Sequence, residues 1–204
     1  MKIGILGATF DPIHLGHIAI AAEAVRSLGL AEVLFIPAGQ PQLKSNISVT
    51  PAKHRIEMVR LAIAGIAAYK ISEIEVKRAG ASFTVDTLAE LRREYAGDDE
   101  IYFLLGWDSL EKFPQWREPS RVIEMCIIAV VPRPGWPRPN LKTLEKALPG
   151  ISRRLVFLEG PQIDISSTAI RQLVSEGKEI GNLVPAPVAE YIRKHNLYTK
   201  HQEV

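Results

Sequence analysis

The chain has 204 residues, 47% of them hydrophobic and 24% charged, with a formal net charge of +2. That balance suits a globular protein with one substantial core and gives no basis for a nucleic-acid partner. The single cysteine, Cys126, excludes an internal disulfide, and no window reaches membrane-spanning length, so one cytoplasmic domain over residues 1–204 without membrane association is expected.

Apolar runs alternate with amphipathic stretches, as when parallel strands are buried on both faces by crossover helices. The pattern predicts strands over 2–6, 33–37, 70–76, 101–105, 126–131 and 155–158. A helix over 15–28 is stopped by Gly29, and one over 51–64 opens on Thr50-Pro51, a capping residue followed by a first-turn proline. A third, over 84–95, ends before Gly97. Residues 132–149, rich in proline, read as a long loop before a short helix. A capped helix over 166–175, a loop over 176–187 and a helix over 188–195 follow. The expected fold is a doubly wound, mostly parallel α/β sheet with a small C-terminal helical segment, and Cys126 falls in an apolar run that reads as core.

Between the first strand and the first helix lies Gly7-Ala8-Thr9-Phe10-Asp11-Pro12-Ile13-His14-Leu15-Gly16-His17. Two histidines three residues apart at a helix start share a face. The free N–H groups and positive dipole end there attract phosphate, and imidazoles can donate to charge that grows during phosphoryl or nucleotidyl transfer. No Gly-Lys-Ser/Thr follows, so this is not a P-loop. A zinc site would need a third ligand and the glutamate of the zinc-protease helix, and neither is evident. Gly16 predicts a close approach of base or sugar to the backbone.

A second constellation, Ile165-Ser166-Ser167-Thr168-Ala169-Ile170-Arg171, reads as another helix start. Ser166 is a natural N-cap, Ser167 and Thr168 place hydroxyls in the first turn, and Arg171 offers a forked guanidinium to phosphate. Together the two motifs resemble the HxGH turn and ISSTxxR helix of the nucleotidylyltransferase superfamily. The resemblance implies a Rossmann-like nucleotidylyltransferase fold and an ATP site made by Gly7, Ala8, Thr9, Phe10, Gly16, His17, Ser166, Ser167, Thr168 and Arg171. His14, His17, Lys44 and Arg171, with a magnesium ion carried by ATP, would stabilise the reacting phosphates. No carboxylate cluster marks a protein-held metal site.

Further segments are similar to the bacterial nicotinate mononucleotide adenylyltransferase family. They are Ser82-Phe83-Thr84-Val85-Asp86-Thr87, Gly106-Trp107-Asp108-Ser109, Phe113-Pro114-Gln115-Trp116, Arg133-Pro134-Gly135 and the closing Leu197-Tyr198. This resemblance implies ATP and nicotinate mononucleotide as substrates, with Thr84, Gly106, Asp108 and Trp116 on the mononucleotide side. An aromatic plane at Trp116 can stack on a pyridine, and N–H groups near Thr84 can donate to a carboxylate. The chain departs from the family in Ala8, where a second glycine is usual. It departs again in Pro41-Gln42-Leu43-Lys44, where P-P-H-K is usual, leaving the lysine alone to meet an anion. Phosphopantetheine adenylyltransferases and cytidylyltransferases share the first motif, and a non-catalytic nucleotide sensor could share the fold.

Overall fold

The computed structural model describes residues 1–39, 49–95, 97–160 and 163–199. Six parallel strands form one sheet: β1 (Lys2–Ala8), β2 (Glu32–Pro37), β3 (Tyr69–Ile71), β4 (Glu100–Gly106), β5 (Ile127–Val131) and β6 (Leu155–Phe157). Their order is β3-β2-β1-β4-β5-β6, so the winding reverses between β1 and β4. Among the described residues every strand pairing is parallel.

Side chains alternate between the two faces of the sheet, as period-two geometry demands. Val33, Phe35, Tyr102, Leu104, Ala129 and Val131 face a core shared with α1 (Leu15–Leu28), α2 (Ala52–Ile63) and α9 (Ala186–Lys194). Ile3, Ile5, Leu34, Ile36, Ile101, Phe103, Ile128 and Val130 face the other, covered by α4 (Thr84–Glu94), α6 (Pro119–Met125) and α7 (Leu141–Ala147). Cys126 is buried in this second core with its thiol pushed up to about 12 by desolvation, which makes it a packing residue.

Three segments differ from the sequence-based expectation. The strand predicted over 70–76 ends at Ile71, and Ile74–Lys77 forms the short helix α3. Its alternating apolar residues imitate a strand, but Glu75 turns inward to accept from Thr87 Oγ1 at 2.8 Å. The helices α5 (Trp107–Lys112) and α6 follow β4 where none was predicted. Within the stretch expected as loop, α7 begins once the prolines end, with Asn140 Oδ1 accepting from the N–H groups of Lys142 and Thr143. The helix α8 (Ser167–Ser175) starts as expected on Ser166, whose Oγ accepts from the Ala169 N–H at 3.2 Å.

Candidate active site

In open α/β sheets, ligands bind at the carboxyl ends of strands where the winding reverses. Here that crevice lies beyond the carboxyl ends of β1 and β4, neighbours whose pairing runs from Lys2–Glu100 to Ile5–Phe103. The turn after β1 is tightly made. Phe10 adopts φ 50°, a left-handed conformation that a bulky residue rarely takes, while its side chain is buried. Its ring meets the edge of the His17 imidazole with centroids 4.9 Å apart.

His14 is the extended N-cap residue of α1, and its backbone N–H donates to His17 Nδ1 at 3.2 Å. That bond requires a lone pair on Nδ1, so neutral His17 carries its proton on Nε2, as a donor. The two rings lie nearly stacked, centroids 3.7 Å apart and 31° between planes. A Cβ on Gly16 would stand 3.0 Å from His14 Nδ1. The missing side chain at position 16 therefore makes room for the histidine ring.

Burial is the main reason both imidazoles resist protonation. His14 is depressed to about 4 by desolvation and then by the Arg133 charge, and His17 falls well below its usual value through desolvation, His14 and Arg133. Both are neutral donors at pH 7. Among the described residues His14 Nδ1 is buried without a hydrogen-bond partner.

Residues distant in sequence clamp this turn. Ser167 Oγ donates to the Pro12 carbonyl at 2.9 Å, and Leu15 N–H donates to Leu183 O at 2.9 Å. Arg171 Nη1 donates to the Asp11 carbonyl at 2.7 Å, and its Nη2 donates to Thr168 Oγ1 at 3.3 Å. Arg171, expected to reach for phosphate, also braces the turn's backbone. The buried carboxylate of Asp11 accepts from Tyr198 Oη at 2.7 Å and from the Thr50 N–H at 3.3 Å.

The β4 side supplies a second group. Asp108 Oδ2 accepts from Arg133 Nη1 at 3.1 Å, while among the described residues Asp108 Oδ1 and Trp107 Nε1 are buried without partners. A Cβ on Gly106 would lie 2.6 Å from Asp108 Oδ1, so only glycine lets this carboxylate fold back over the strand end. Farther along, Trp116 stands edge-on to Phe103 with centroids 6.0 Å apart and packs on Phe113. Arg117, next to Trp116, lays its guanidinium 4.5 Å from the Phe83 ring centroid, joining this segment to the start of α4 at Thr84.

The structure thus gathers Thr9, Phe10, His14, Gly16, His17, Ser167, Thr168 and Arg171 around one turn. Arg133, bonded to Asp108, sets its charge on both histidines, and Arg117 on the Phe83 ring connects the segments that carry Trp116 and Thr84. Lys44, with Pro41, Gln42 and Leu43, lies outside the described residues. Sequence reasoning left Asp11, Arg133 and Tyr198 without roles and did not single out Arg55. Arg133 stood in a noted motif, but only the fold shows it facing Asp108. Among the described residues no group of three or more His, Cys, Asp or Glu side chains could hold a metal ion, and no helix is long and apolar enough to cross a membrane.

A Rossmann-like sheet with paired histidines at the reversal defines a nucleotide-handling enzyme. The chain belongs to the cytidylyltransferase-like family, whose sequence model matches residues 5–173. Within it, the chain is 45% identical over 200 residues to a Dehalococcoides mccartyi protein named "Probable nicotinate-nucleotide adenylyltransferase", covering 98% of each chain. A Thermomicrobium roseum protein of the same name is 43% identical over 197 residues, covering 97% of this chain and 91% of that one. The fold is that of Plasmodium falciparum nicotinic acid mononucleotide adenylyltransferase complexed with NaAD, with a TM-score of 0.79 at 20% identity over 97% of both chains.

Proposed function

We propose that this chain, acting as a single domain in the cytoplasm, transfers AMP from ATP to nicotinate mononucleotide, giving nicotinate adenine dinucleotide and pyrophosphate. An oxygen of the mononucleotide phosphate attacks the α-phosphorus of ATP. A new P–O bond forms there, and the bond to the bridging oxygen of pyrophosphate breaks with its electron pair. No covalent enzyme intermediate is needed.

The observation that carries this reading is the stacked pair His14 and His17, held neutral beside Arg133 where the winding reverses. The transition state spreads charge over the oxygens of the transferred group, so fixed donors aimed there are worth far more than donors in water. His17 Nε2–H supplies such a donor, beside the positive dipole end of α1. Ser167 and Arg171 keep the turn in shape through the carbonyls of Pro12 and Asp11. Asp108 Oδ1, buried and without a partner among the described residues, suits a ribose hydroxyl donor. Thr84 opens α4, whose first N–H groups lack partners within the helix and suit the nicotinate carboxylate. Trp116 offers a ring for the pyridine. The divalent ion, which we assign as magnesium, enters as part of the MgATP substrate and neutralises phosphate charge.

Pyrophosphate release with ATP and a panel of mononucleotides tests the reading. Nicotinate mononucleotide should exceed its amide counterpart in kcat/KM, because an N–H-lined site matches a carboxylate and clashes with the carboxamide's donors. Equal values, or preference for the amide, overturn the substrate assignment.

A further inference from the structure

Arg55, in the first turn of α2, is 2% exposed, and among the described residues its hydrogen-bond partners are all backbone carbonyls. Nη1 donates to Thr9 O at 2.8 Å and to Ala38 O at 2.9 Å, Nε donates to Thr50 O at 2.9 Å, and Nη2 reaches Gly39 O at 3.4 Å. Burying a charge is costly unless its donors are used, and a planar fork can serve carbonyls on several segments at once. These acceptors lie just past the carboxyl ends of β1 and β2 and at the residue that precedes α2's Pro51. The same Thr50 also donates its N–H to Asp11 in the catalytic turn.

The contact continues toward the other substrate. A Cβ on Gly39 would stand 2.3 Å from the Glu75 carbonyl oxygen and 3.1 Å from Ser82 Oγ. Ser82 Oγ donates to that carbonyl at 3.3 Å, and the Glu75 carboxylate accepts from Thr87 Oγ1 at 2.8 Å on the helix that Thr84 begins. A run of contacts therefore joins Thr9, which precedes the Phe10 packed on His17, to Thr87 on the helix that Thr84 begins, by way of Arg55, Gly39 and Glu75.

We propose that Arg55 is a positioning residue for the transfer step, fixing the ATP-side turn relative to the segment that receives nicotinate mononucleotide. The proposal rests on the adenylyltransferase reading above. Arg55 touches neither substrate. It sets the separation between two half-sites, and displacement of reacting groups by about an ångström costs on the order of a hundredfold in rate. Its loss therefore falls on kcat more than on either KM. Lysine, with one nitrogen, cannot reach carbonyls on all these segments and restores only part of the rate.

The test is steady-state kinetics of Arg55→Gln, Arg55→Lys and Gly39→Ala with ATP and nicotinate mononucleotide, well below each variant's unfolding temperature. Gly39→Ala loads the same run of contacts from its far side while leaving the guanidinium in place, so the question is decided even if Arg55→Gln does not fold. For the folded variants kcat should fall at least about tenfold while both KM values stay within about threefold, with Arg55→Lys between wild type and Arg55→Gln. Folded variants with wild-type kcat, losses confined to KM, or losses that vanish on cooling overturn the proposal. A wild-type protein that releases no pyrophosphate with these substrates overturns the adenylyltransferase reading instead.

Discussion

The backbone N–H of His14 holds Nδ1 of His17 at 3.2 Å, so one helix-capping bond decides which imidazole nitrogen is left to donate. His17→Asn keeps an oxygen near the Nδ1 position and removes the Nε2 donor. It should unfold close to the wild-type temperature and still bind ATP, while kcat falls roughly 10²- to 10³-fold, as for loss of one transition-state donor. Titration calorimetry with ATP and turnover measured on the same sample check this, and near wild-type turnover would count against a transition-state role.

Stability should depend on pH through His14. Its folded value of about 4 lies below the ordinary 6.5, so between those limits the unfolded chain binds a proton that the folded chain does not. Stability is then complete above pH 6.5 and declines on acidification toward 4, by roughly 3 kcal/mol from this group, with His17 acting in the same direction. Urea unfolding at several pH values should show a shallower acid slope for His14→Gln than for wild type.

Arg133 presses on both histidines with its charge. Removing that charge in Arg133→Gln makes imidazolium easier to form. The acid limb of the pH dependence of kcat should move to higher pH, while the alkaline side, where both rings are already neutral, stays in place. An acid limb unmoved, or moved to lower pH, would show that Arg133 does not face the histidines in solution.

Gly106→Ala should imitate loss of Asp108. The new Cβ would sit 2.6 Å from Asp108 Oδ1, so the carboxylate must swing away and release Arg133. Because a carboxylate end can rotate, the stability cost should be small, while kcat/KM falls. The double variant Gly106→Ala, Asp108→Ala should be little worse than Asp108→Ala alone, a non-additivity that a double-mutant cycle measures directly.

Tyr198→Phe removes the hydroxyl that donates to buried Asp11. Leaving that carboxylate oxygen unserved should cost about 1–3 kcal/mol in denaturant unfolding. Activity should fall with it, since Asp11 lies within the catalytic turn.

The strands β1, β2, β4 and β5 were legible because each is buried on both faces and reads as a short unbroken apolar run. The two motif-bearing helices were legible from their starts, at His14 and at Ser166. The helices α5 and α6 were not, because six or seven residues are too few to display a helical period. Within the candidate site, sequence identified residues whose chemistry announces itself, such as the histidines. It could not identify Arg55 or Tyr198, whose importance lies in which carbonyl or carboxylate they meet across the fold. Arg171 shows the limit from the other side: its type points to phosphate, and only the fold adds that its guanidinium also holds the carbonyl of Asp11.

The bond from Tyr198 to Asp11 spans 187 positions of sequence. A ribosome makes the histidine turn long before the hydroxyl that anchors it. A nascent chain can pair β1 with β2 early, yet the turn stays unbraced until α8, Leu183 and Tyr198 have emerged. The turn thus waits for that segment, and a chain that stalls before Tyr198 would present its histidines without holding them in place.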